Sequence, residues 1–237
     1  MKVVIITGGS RGIGASTARL CAAKGMGVIL TYNSNPEAVE TVVTAIAAAG
    51  GTPVALKLDV ANTSAFPAFA GSIAAVLQAH FDRSDFDFLV NNAGYGLFAP
   101  ITTVTTAEFD GLFNVHLRGP FFLTQALLPL MADGGHIINM TSATMRVATA
   151  GVAPYAALKG GLEVLTRYMA KEFGARGIRT ELGGGLNDEF EAMLAGMTAL
   201  NRVGEPDEVG GVIASLLSDD NRWINAQDIE VAGGYII

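Results

Sequence analysis

A short apolar strand that runs straight into a glycine-rich turn constrains the fold of this chain more than any other feature. Lys2–Thr7 has the β-branched character of a buried strand, and the turn Gly8–Gly14 follows it directly. A helix is predicted over Gly12–Lys24. Glycines in such a turn allow backbone N–H groups to approach a pyrophosphate, which the N-terminus of the following helix also attracts. This unit therefore predicts a nucleotide-binding site.

Short β-branched strands alternate with longer alanine-rich helices along the rest of the chain. This order predicts βαβ units and one α/β domain over residues 1–237, with a mostly parallel sheet covered by helices on both faces. Ligands of such sheets bind outside the carboxyl ends of the strands. The strands are predicted at Lys2–Thr7, Gly27–Tyr32, Pro53–Leu58, Phe86–Asn91, His136–Thr141 and Ile229–Val231. The helices are predicted at Gly12–Lys24, Pro36–Ala49, Ala65–Ala79, Ala107–Met131 with a break at Gly119-Pro120, Tyr155–Gly174 and Pro206–Leu217.

The composition argues against several classes of partner. Half of the 237 residues are apolar and 16% are charged, which is enough for one sizeable core. The net charge of -7 argues against nucleic acid and against an anionic membrane, since both call for a basic surface. The lone cysteine, Cys21, cannot form an internal disulfide. No run is apolar enough to span a membrane, and we expect a cytoplasmic protein whose partner is a small molecule.

Three side chains in the second half of the chain form a chemically meaningful pattern. Ser142 follows the predicted strand His136–Thr141, so its hydroxyl is expected at the carboxyl edge of the sheet. Tyr155 and Lys159 are four residues apart on a predicted helix and share one face. An ammonium beside a phenol favours the phenolate and lowers its pKa, which suits a general acid or base. Ser142 would then hydrogen-bond the substrate oxygen on which charge develops.

The order and spacing of these motifs resemble the short-chain dehydrogenase/reductase family over nearly the whole chain. The motifs that carry the resemblance are Thr7–Gly14, Asn91–Gly94, Ser142 and Tyr155–Lys159. The resemblance implies a Rossmann-type, doubly wound fold. It also implies an oxidoreductase that transfers hydride to or from a nicotinamide and interconverts a carbonyl and an alcohol. In the family the helix that carries the catalytic pair often joins subunits, which implies a homotetramer or a homodimer.

The resemblance further implies roles for individual residues. Tyr155 would be the proton donor or acceptor, Lys159 would tune its pKa and hold the nicotinamide ribose, and Ser142 would bind the substrate oxygen. Asn114 matches the helix asparagine that supports a water-linked proton relay to the lysine. The expected cofactor contacts are Gly8, Ser10, Arg11, Gly12, Ile13, Gly14, Asn33, Asp59, Val60, Asn92, Ala93 and Gly94, together with Tyr155 and Lys159.

The end of the second predicted strand indicates which nicotinamide cofactor is used. Enzymes that use NAD usually place a carboxylate there to hold the ribose hydroxyls, whereas Thr31–Ser34 contains none. Arg11 lies in the glycine-rich turn and can pair with a 2′-phosphate, although a solvated loop charge is the alternative interpretation. NADP is therefore favoured over NAD. Two other functions stay open: an NAD-preferring sugar or polyol dehydrogenase, and a dinucleotide-sensing binding protein without turnover.

The loops beside the expected site are largely apolar, which favours an uncharged ketone or aldehyde as substrate. The residues concerned are Tyr95, Leu97, Phe98, Met145 and Val147. The three histidines have no metal-ligand spacing, so we expect no metal site and regard them as surface or packed residues. They are His80, His116 and His136.

One stretch departs from the family pattern. After Gly177–Arg179 the family has a sixth strand that ends in Pro-Gly beside the nicotinamide, whereas Thr180–Asn187 contains no Pro-Gly. The stretch looks short by roughly one strand and turn. Two explanations compete: a true deletion, which would weaken the nicotinamide subsite, or residues missing from the recorded sequence. We favour the second because motifs resume cleanly at Arg202–Pro206. Residues 183–197 are expected to form a mobile lid over the substrate.

Overall fold

The strands of the computed structural model, which describes residues 1–184 and 195–236, form one parallel sheet. They are β1 (Val3–Ile6), β2 (Gly27–Tyr32), β3 (Pro53–Lys57), β4 (Phe86–Asn91), β5 (Met131–Thr141), β6 (Arg179–Gly184) and β7 (Asp228–Glu230). The helices are α1 (Gly12–Ala23), α2 (Pro36–Ala48), α3 (Phe66–Phe81), α4 (Thr106–Phe113), α5 (Gly119–Leu127), α6 (Ala153–Phe173) and α7 (Pro206–Leu216). No helix in these two ranges is long and apolar enough to cross a membrane.

The strand order confirms the predicted doubly wound α/β fold. Neighbours in the sheet run β3-β2-β1-β4-β5-β6-β7, and each pair is parallel. The chain builds outwards from β1 to one edge and then from β4 to the other. The order therefore reverses between β1 and β4, which is where such sheets bind their ligands. The glycine-rich turn follows β1 and the loop Asn91–Gly94 follows β4, so both motifs lie at this point.

Two apolar cores lie on opposite faces of the sheet, as the alternation of side chains in a strand requires. Val4 and Ile6 of β1 point towards the core shared with α1, α2 and α7. Val3 and Ile5 point towards the core shared with α3 and α5. Since all four side chains are fully buried, β1 is covered on both faces, and its carboxyl end is held rigidly beneath the glycine-rich turn.

The sixth strand has an ordinary length of six residues, so the shortening expected after Gly177–Arg179 does not lie within it. β6 pairs with β5 from His136↔Arg179 to Thr141↔Gly184 and with β7 over its last three residues. Gly183 and Gly184, assigned to the start of the lid, belong to this strand. The rest of the expected lid, up to residue 194, lies outside the described residues. Any shortening relative to the family therefore lies after Gly184.

The helix predicted over Ala107–Met131 is interrupted earlier than expected. α4 ends at Phe113, and the chain then forms a π-helical turn over Asn114–Arg118 before α5 starts at Gly119. A π turn holds one more residue per turn than the α-helix around it, and such turns are frequent at functional sites. The interruption therefore changes which side chains of this segment face α6.

Candidate active site

The glycine-rich turn forms a cradle that a side chain would fill. Gly8 and Gly12 have φ angles of +67° and +52°, which L side chains rarely adopt. A Cβ on Gly14 would lie 2.3 Å from the carbonyl oxygen of Gly8, so the first turn of α1 packs directly on the preceding loop. α1 has no acidic residue in its first turn. The backbone here fits the pyrophosphate of a dinucleotide, which would be bound by N–H groups at the N-terminus of α1.

The loop after β4 is hydrogen-bonded to the same turn. The Asn92 side chain donates to the carbonyl oxygens of Thr7 at 2.9 Å and Gly8 at 3.2 Å. The backbone N–H groups of Asn92 and Ala93 both donate to the Thr7 hydroxyl, at 2.9 and 3.0 Å. A Cβ on Gly8 would lie 2.9 Å from the Cα of Ala93. The structure thus brings together the predicted contacts of the first and fourth strands.

The remaining predicted cofactor contacts lie at the same edge of the sheet. Asn33 is exposed directly after β2, and Arg11 is exposed in the glycine-rich turn. Asp59 follows β3 and accepts a hydrogen bond from the N–H of Ala61 at 2.9 Å. Val60 is nearly buried, and its carbonyl oxygen would lie 2.5 Å from a Cβ on Gly119. An exposed cation in the glycine-rich turn and an exposed amide after β2 thus lie at this edge, and Thr31–Ser34 contains no carboxylate.

Ser142, Tyr155 and Lys159 meet where β5 ends and α6 begins. Ser142 directly follows β5, and its Oγ accepts hydrogen bonds from the N–H and the hydroxyl of Thr144 at 3.3 and 3.0 Å. Tyr155 lies in the first turn of α6, and its hydroxyl is near enough to Ser142 for that side chain to affect its pKa. Lys159 Nζ lies 5.5 Å from the centroid of the Tyr155 ring and donates to the carbonyl oxygen of Met140 at 2.6 Å. Two hydroxyls and an ammonium therefore share one site at the carboxyl edge of the sheet.

The pKa values of the pair differ from the expectation. Burial raises the pKa of Tyr155, and the Ser142 side chain only opposes this effect. A lowered pKa was expected from Lys159. Instead, burial lowers the pKa of Lys159 itself to about 7, because the charged amine has lost its water. In this state of the protein Tyr155 is a neutral phenol at physiological pH, and thus a proton donor.

The structure brings His116, and not the Asn114 side chain, against Tyr155. The Asn114 side chain accepts a hydrogen bond from Arg118 at 3.2 Å on the exposed side of the π turn. The His116 ring is buried and meets the Tyr155 ring edge-on, with centroids 5.0 Å apart and an interplanar angle of 84°. In the sequence His116 matches no motif, which predicts only a surface or packed residue. Its place beside Tyr155 depends on the π turn Asn114–Arg118, which no sequence motif indicates.

The other two histidines take no part in this site. His80 is exposed near the end of α3. His136 is fully buried at the other end of the β5 ladder, with its Nε2 3.2 Å from a carboxylate oxygen of Glu181, which is also fully buried. Within the described parts of the chain there is no group of three or more His, Cys, Asp or Glu side chains that could hold a metal.

Two loops form an apolar wall at the same edge of the sheet. The N–H of Ala99 donates to the carbonyl oxygen of Gly151 at 2.7 Å, which joins the loop after β4 to the loop before α6. The Phe98 ring packs on Gly151, whose φ is +84° and whose added Cβ would lie 2.3 Å from a ring carbon. Tyr95 and Phe98 are 44% and 58% exposed. The wall offers aromatic surface to a ligand, and sequence reasoning did not identify Gly151 as part of it.

One family model and three known proteins that resemble this chain are all described as reductases or oxidoreductases. A family model described as enoyl-(acyl carrier protein) reductase matches residues 8–236. An uncharacterized oxidoreductase of Methylorubrum extorquens is 37% identical over 98% of this chain and 97% of its own length. The tetrahydroxynaphthalene reductase PfmaG of Pestalotiopsis fici is 32% identical over 98% of this chain and 91% of its own. The landomycin C-6 ketoreductase LanV, solved with bound NADP and rabelomycin, has a TM-score of 0.94 at 30% identity, over 99% of this chain and 96% of that chain.

Proposed function

Since this chain belongs to the short-chain dehydrogenase/reductase family, we propose that it is an NADP(H)-dependent oxidoreductase that interconverts a ketone or aldehyde and its alcohol. The observation that carries the proposal is the meeting of Ser142, Tyr155 and Lys159 at the carboxyl edge of the sheet, beside the glycine cradle. A module that only binds a dinucleotide needs no such group of proton donors. The sensor alternative is therefore the weaker one.

The roles of the three side chains follow from their geometry. Bound NADPH would supply the hydride that reaches the carbonyl carbon. The Tyr155 hydroxyl donates its proton to the substrate oxygen, and the Ser142 hydroxyl donates a hydrogen bond to the same oxygen as charge develops there. The buried ammonium of Lys159 stabilises the tyrosinate that remains, and it also lies where it can hold the nicotinamide ribose.

The protonation state of Tyr155 suits the reductive direction, in which the phenol donates a proton. Its raised pKa keeps the phenol protonated at neutral pH, so the group is ready to donate. Oxidation of an alcohol would need the phenolate, which burial disfavours. Lys159, with a pKa of about 7, exchanges its own proton near neutrality and is suited to reprotonate the tyrosine after turnover.

NADP rather than NAD is proposed from the residues around the expected adenosine ribose. Arg11 is exposed in the glycine-rich turn and Asn33 is exposed after β2, and the stretch Thr31–Ser34 carries no carboxylate to repel a 2′-phosphate. The related ketoreductase LanV was solved with NADP. An NAD-preferring sugar or polyol dehydrogenase is the runner-up, and it would require another group to hold the ribose hydroxyls.

A flat, largely uncharged ketone is the substrate that the wall favours. Phe98 and Tyr95 offer aromatic surface, and aromatic rings stack well on rings. The related reductases are named for tetrahydroxynaphthalene and for landomycin. We therefore propose that the substrate carries a fused aromatic system next to its carbonyl group.

A homo-oligomer, either a dimer or a tetramer, is proposed from an exposed apolar surface. The α4–α6 face consists of Phe109, Phe113, Phe121, Phe122, Val164 and Tyr168, each between 37% and 63% exposed. Exposed apolar patches of this kind commonly mark protein–protein contacts. A second copy of the chain would cover the rings of this face.

The proposal is tested by following nicotinamide absorbance with purified protein. NADPH and NADH are each mixed with 1-tetralone, 9,10-phenanthrenequinone, benzaldehyde and cyclohexanone. We expect NADPH to be consumed faster than NADH, with the two fused-ring compounds the fastest. Bound NADPH without turnover of any of the four compounds would favour the sensor alternative, and faster turnover with NADH would overturn the cofactor assignment.

A further inference from the structure

His116 is held in one orientation against the catalytic tyrosine. It lies in the π turn Asn114–Arg118 and is 2% exposed. Its ring meets the ring of Tyr155 edge-on at 5.0 Å. Gly94 leaves room for it, because a Cβ at that position would lie 2.7 Å from Cε1 of the imidazole. His116 thus forms the wall behind the tyrosine and touches the loop that borders the cofactor cradle.

The tautomer of His116 follows from its hydrogen bond. Nε2 lies 2.8 Å from the carbonyl oxygen of Tyr95, which can only accept, and 3.5 Å from the Tyr95 N–H, so the shorter contact assigns the hydrogen to Nε2. The ring is neutral: burial and the positive charge of Lys159 lower its pKa to about 3. Nδ1 is then a lone-pair acceptor. The titratable groups that face the ring are Tyr95, Tyr155 and Lys159.

The Nδ1 atom of His116 is buried and has no hydrogen-bond partner among the described residues. Buried polar atoms nearly always have a partner, supplied by the protein or by an ordered water. The nearby cation is Lys159, whose ammonium has three N–H donors. One of them is directed to the carbonyl oxygen of Met140. His116 Nδ1, an acceptor without a partner among the described residues, and Lys159 Nζ, a donor with further N–H groups, thus lie in the same buried region.

We propose that His116 is a positioning residue of the catalytic centre: it fixes the Tyr155 ring and presents Nδ1 as a neutral acceptor for the hydrogen-bond path that reaches Lys159. The inference rests on the proposed function, since it assumes that Tyr155 donates the proton. The role expected for Asn114 in the same proton path stays a prediction. The imidazole does not itself donate or accept the reacting proton, because it stays neutral while Lys159 titrates.

The first test needs no substrate and so is independent of the proposed function. Protein labelled with ¹⁵N-histidine is titrated by NMR from pH 5 to pH 9, with the His116→Phe and His80→Phe variants identifying the signals. We expect His116 to remain the Nε2–H neutral form throughout. A His116 that gains a proton within this range, or that carries its hydrogen on Nδ1, would overturn the inference even if the enzyme is active.

The second test is kinetic and uses NADPH with 9,10-phenanthrenequinone. His116→Phe keeps a ring against Tyr155 but removes Nδ1. We expect kcat to fall by about tenfold or more, with the pH profile of kcat displaced, while the KM for NADPH changes little. His116→Asn, which restores an acceptor, should recover most of the lost kcat, and His80→Phe is the matched control.

Two outcomes of the kinetic test contradict the inference. One is an unchanged kcat and pH profile in His116→Phe; the other is a His116→Asn variant that is no more active than His116→Phe. Thermal unfolding and NADPH fluorescence verify that each variant is folded. If His116→Phe does not fold, His116→Asn identifies the signal in its place, and the NMR titration of wild-type protein still decides the tautomer and charge.

Discussion

The ammonium of Lys159 donates a hydrogen bond to the carbonyl oxygen of Met140 at 2.6 Å, from a position that is almost completely buried. This contact ties the first turns of α6 to the end of β5, and thereby places Tyr155 beside Ser142. A buried cation is costly unless it is paired. No carboxylate takes part in the effects that shift its pKa, which burial lowers to about 7. Because burial without a charged partner destabilises the ammonium of Lys159, this side chain can release its proton near neutral pH.

The lowered pKa of Lys159 predicts a pH dependence of stability. In the unfolded chain the amine has the ordinary value of 10.5 and in the folded protein about 7, so the unfolded state binds more protons between these values. The contribution of Lys159 to the free energy of unfolding should therefore increase as pH rises from about 7 to about 10. Below pH 7 the destabilisation caused by burying the charged amine is present in full. In Lys159→Met this rise should vanish. Urea unfolding of both proteins from pH 6 to pH 10 measures the difference, and parallel curves would contradict it.

Acid pH should destabilise the protein through His116. Its pKa is about 3 when folded and 6.5 when exposed, so the unfolded state takes up a proton between these values and the folded state does not. The stability that the neutral, buried His116 ring contributes to the folded state is fully present above pH 6.5 and is lost as pH falls towards 3. We expect His116→Asn to show a shallower loss of stability between pH 6.5 and 4 than the wild type. Thermal unfolding at several pH values compares them, with His80→Asn as the exposed control.

The residue after β2 should control the choice of cofactor. Asn33→Asp places a carboxylate where the 2′-phosphate of NADP is expected, and like charges close together repel strongly. We expect the KM for NADPH to rise by about tenfold or more, while the KM for NADH is unchanged or falls. Asn35→Asp is a matched control, because Asn35 caps α2 through its side-chain oxygen and aspartate serves equally well there. Equal effects of the two variants would remove Asn33 from the cofactor site.

The packing of Phe98 on Gly151 should determine how well a flat ketone binds. Gly151→Ala adds a methyl group 2.3 Å from the ring at a residue with φ of +84°, so the wall must move. We expect kcat/KM for 9,10-phenanthrenequinone to fall by about tenfold, with NADPH affinity preserved. Gly71→Ala in α3 is the control, since its Cβ would meet no other described atom within 4 Å. A wild-type kcat/KM in Gly151→Ala would show that this contact does not shape the substrate site.

The exposed α4–α6 face should hold the subunits together. A charge at Phe121 would be buried in the contact without a partner, so Phe121→Glu should shift the assembly to a smaller species. Light scattering after size-exclusion chromatography measures the mass, and Thr44→Glu, on exposed α2, serves as the control. An unchanged mass in Phe121→Glu would place the interface elsewhere.

Most of the sheet could be predicted because its strands are short β-branched runs. Val3–Ile6 is buried on both faces, which gives continuous apolar sequence, and Phe86–Asn91 is apolar except for Asp87 and Asn91. The start of β5 could not be predicted in this way. Met131–Gly135 is polar and glycine-rich, and only its pairing with Phe86 of β4 makes it part of the strand. Contacts with distant parts of the chain decide whether such a segment forms a strand, and the local sequence pattern does not show them.

The candidate site was predictable where residues follow strands and less so where a helix is irregular. Ser142, Tyr155 and Lys159 needed only the end of a strand and a four-residue helical spacing. Asn114 and His116 are two residues apart, about 200° around an α-helix, so they face opposite sides. The π turn that contains both decides which of them meets Tyr155. A π turn depends on packing, and the helical period of the sequence gives no sign of it.

The most direct test of the account is turnover by the Tyr155→Phe variant, which loses one hydroxyl and keeps the ring packed against His116. With NADPH and 9,10-phenanthrenequinone, we expect kcat to fall by about 10²-fold to 10⁴-fold, as for loss of a general acid. NADPH affinity, measured by fluorescence, should remain close to that of the wild type. Turnover by Tyr155→Phe at the wild-type rate would contradict the central claim that this tyrosine delivers the proton.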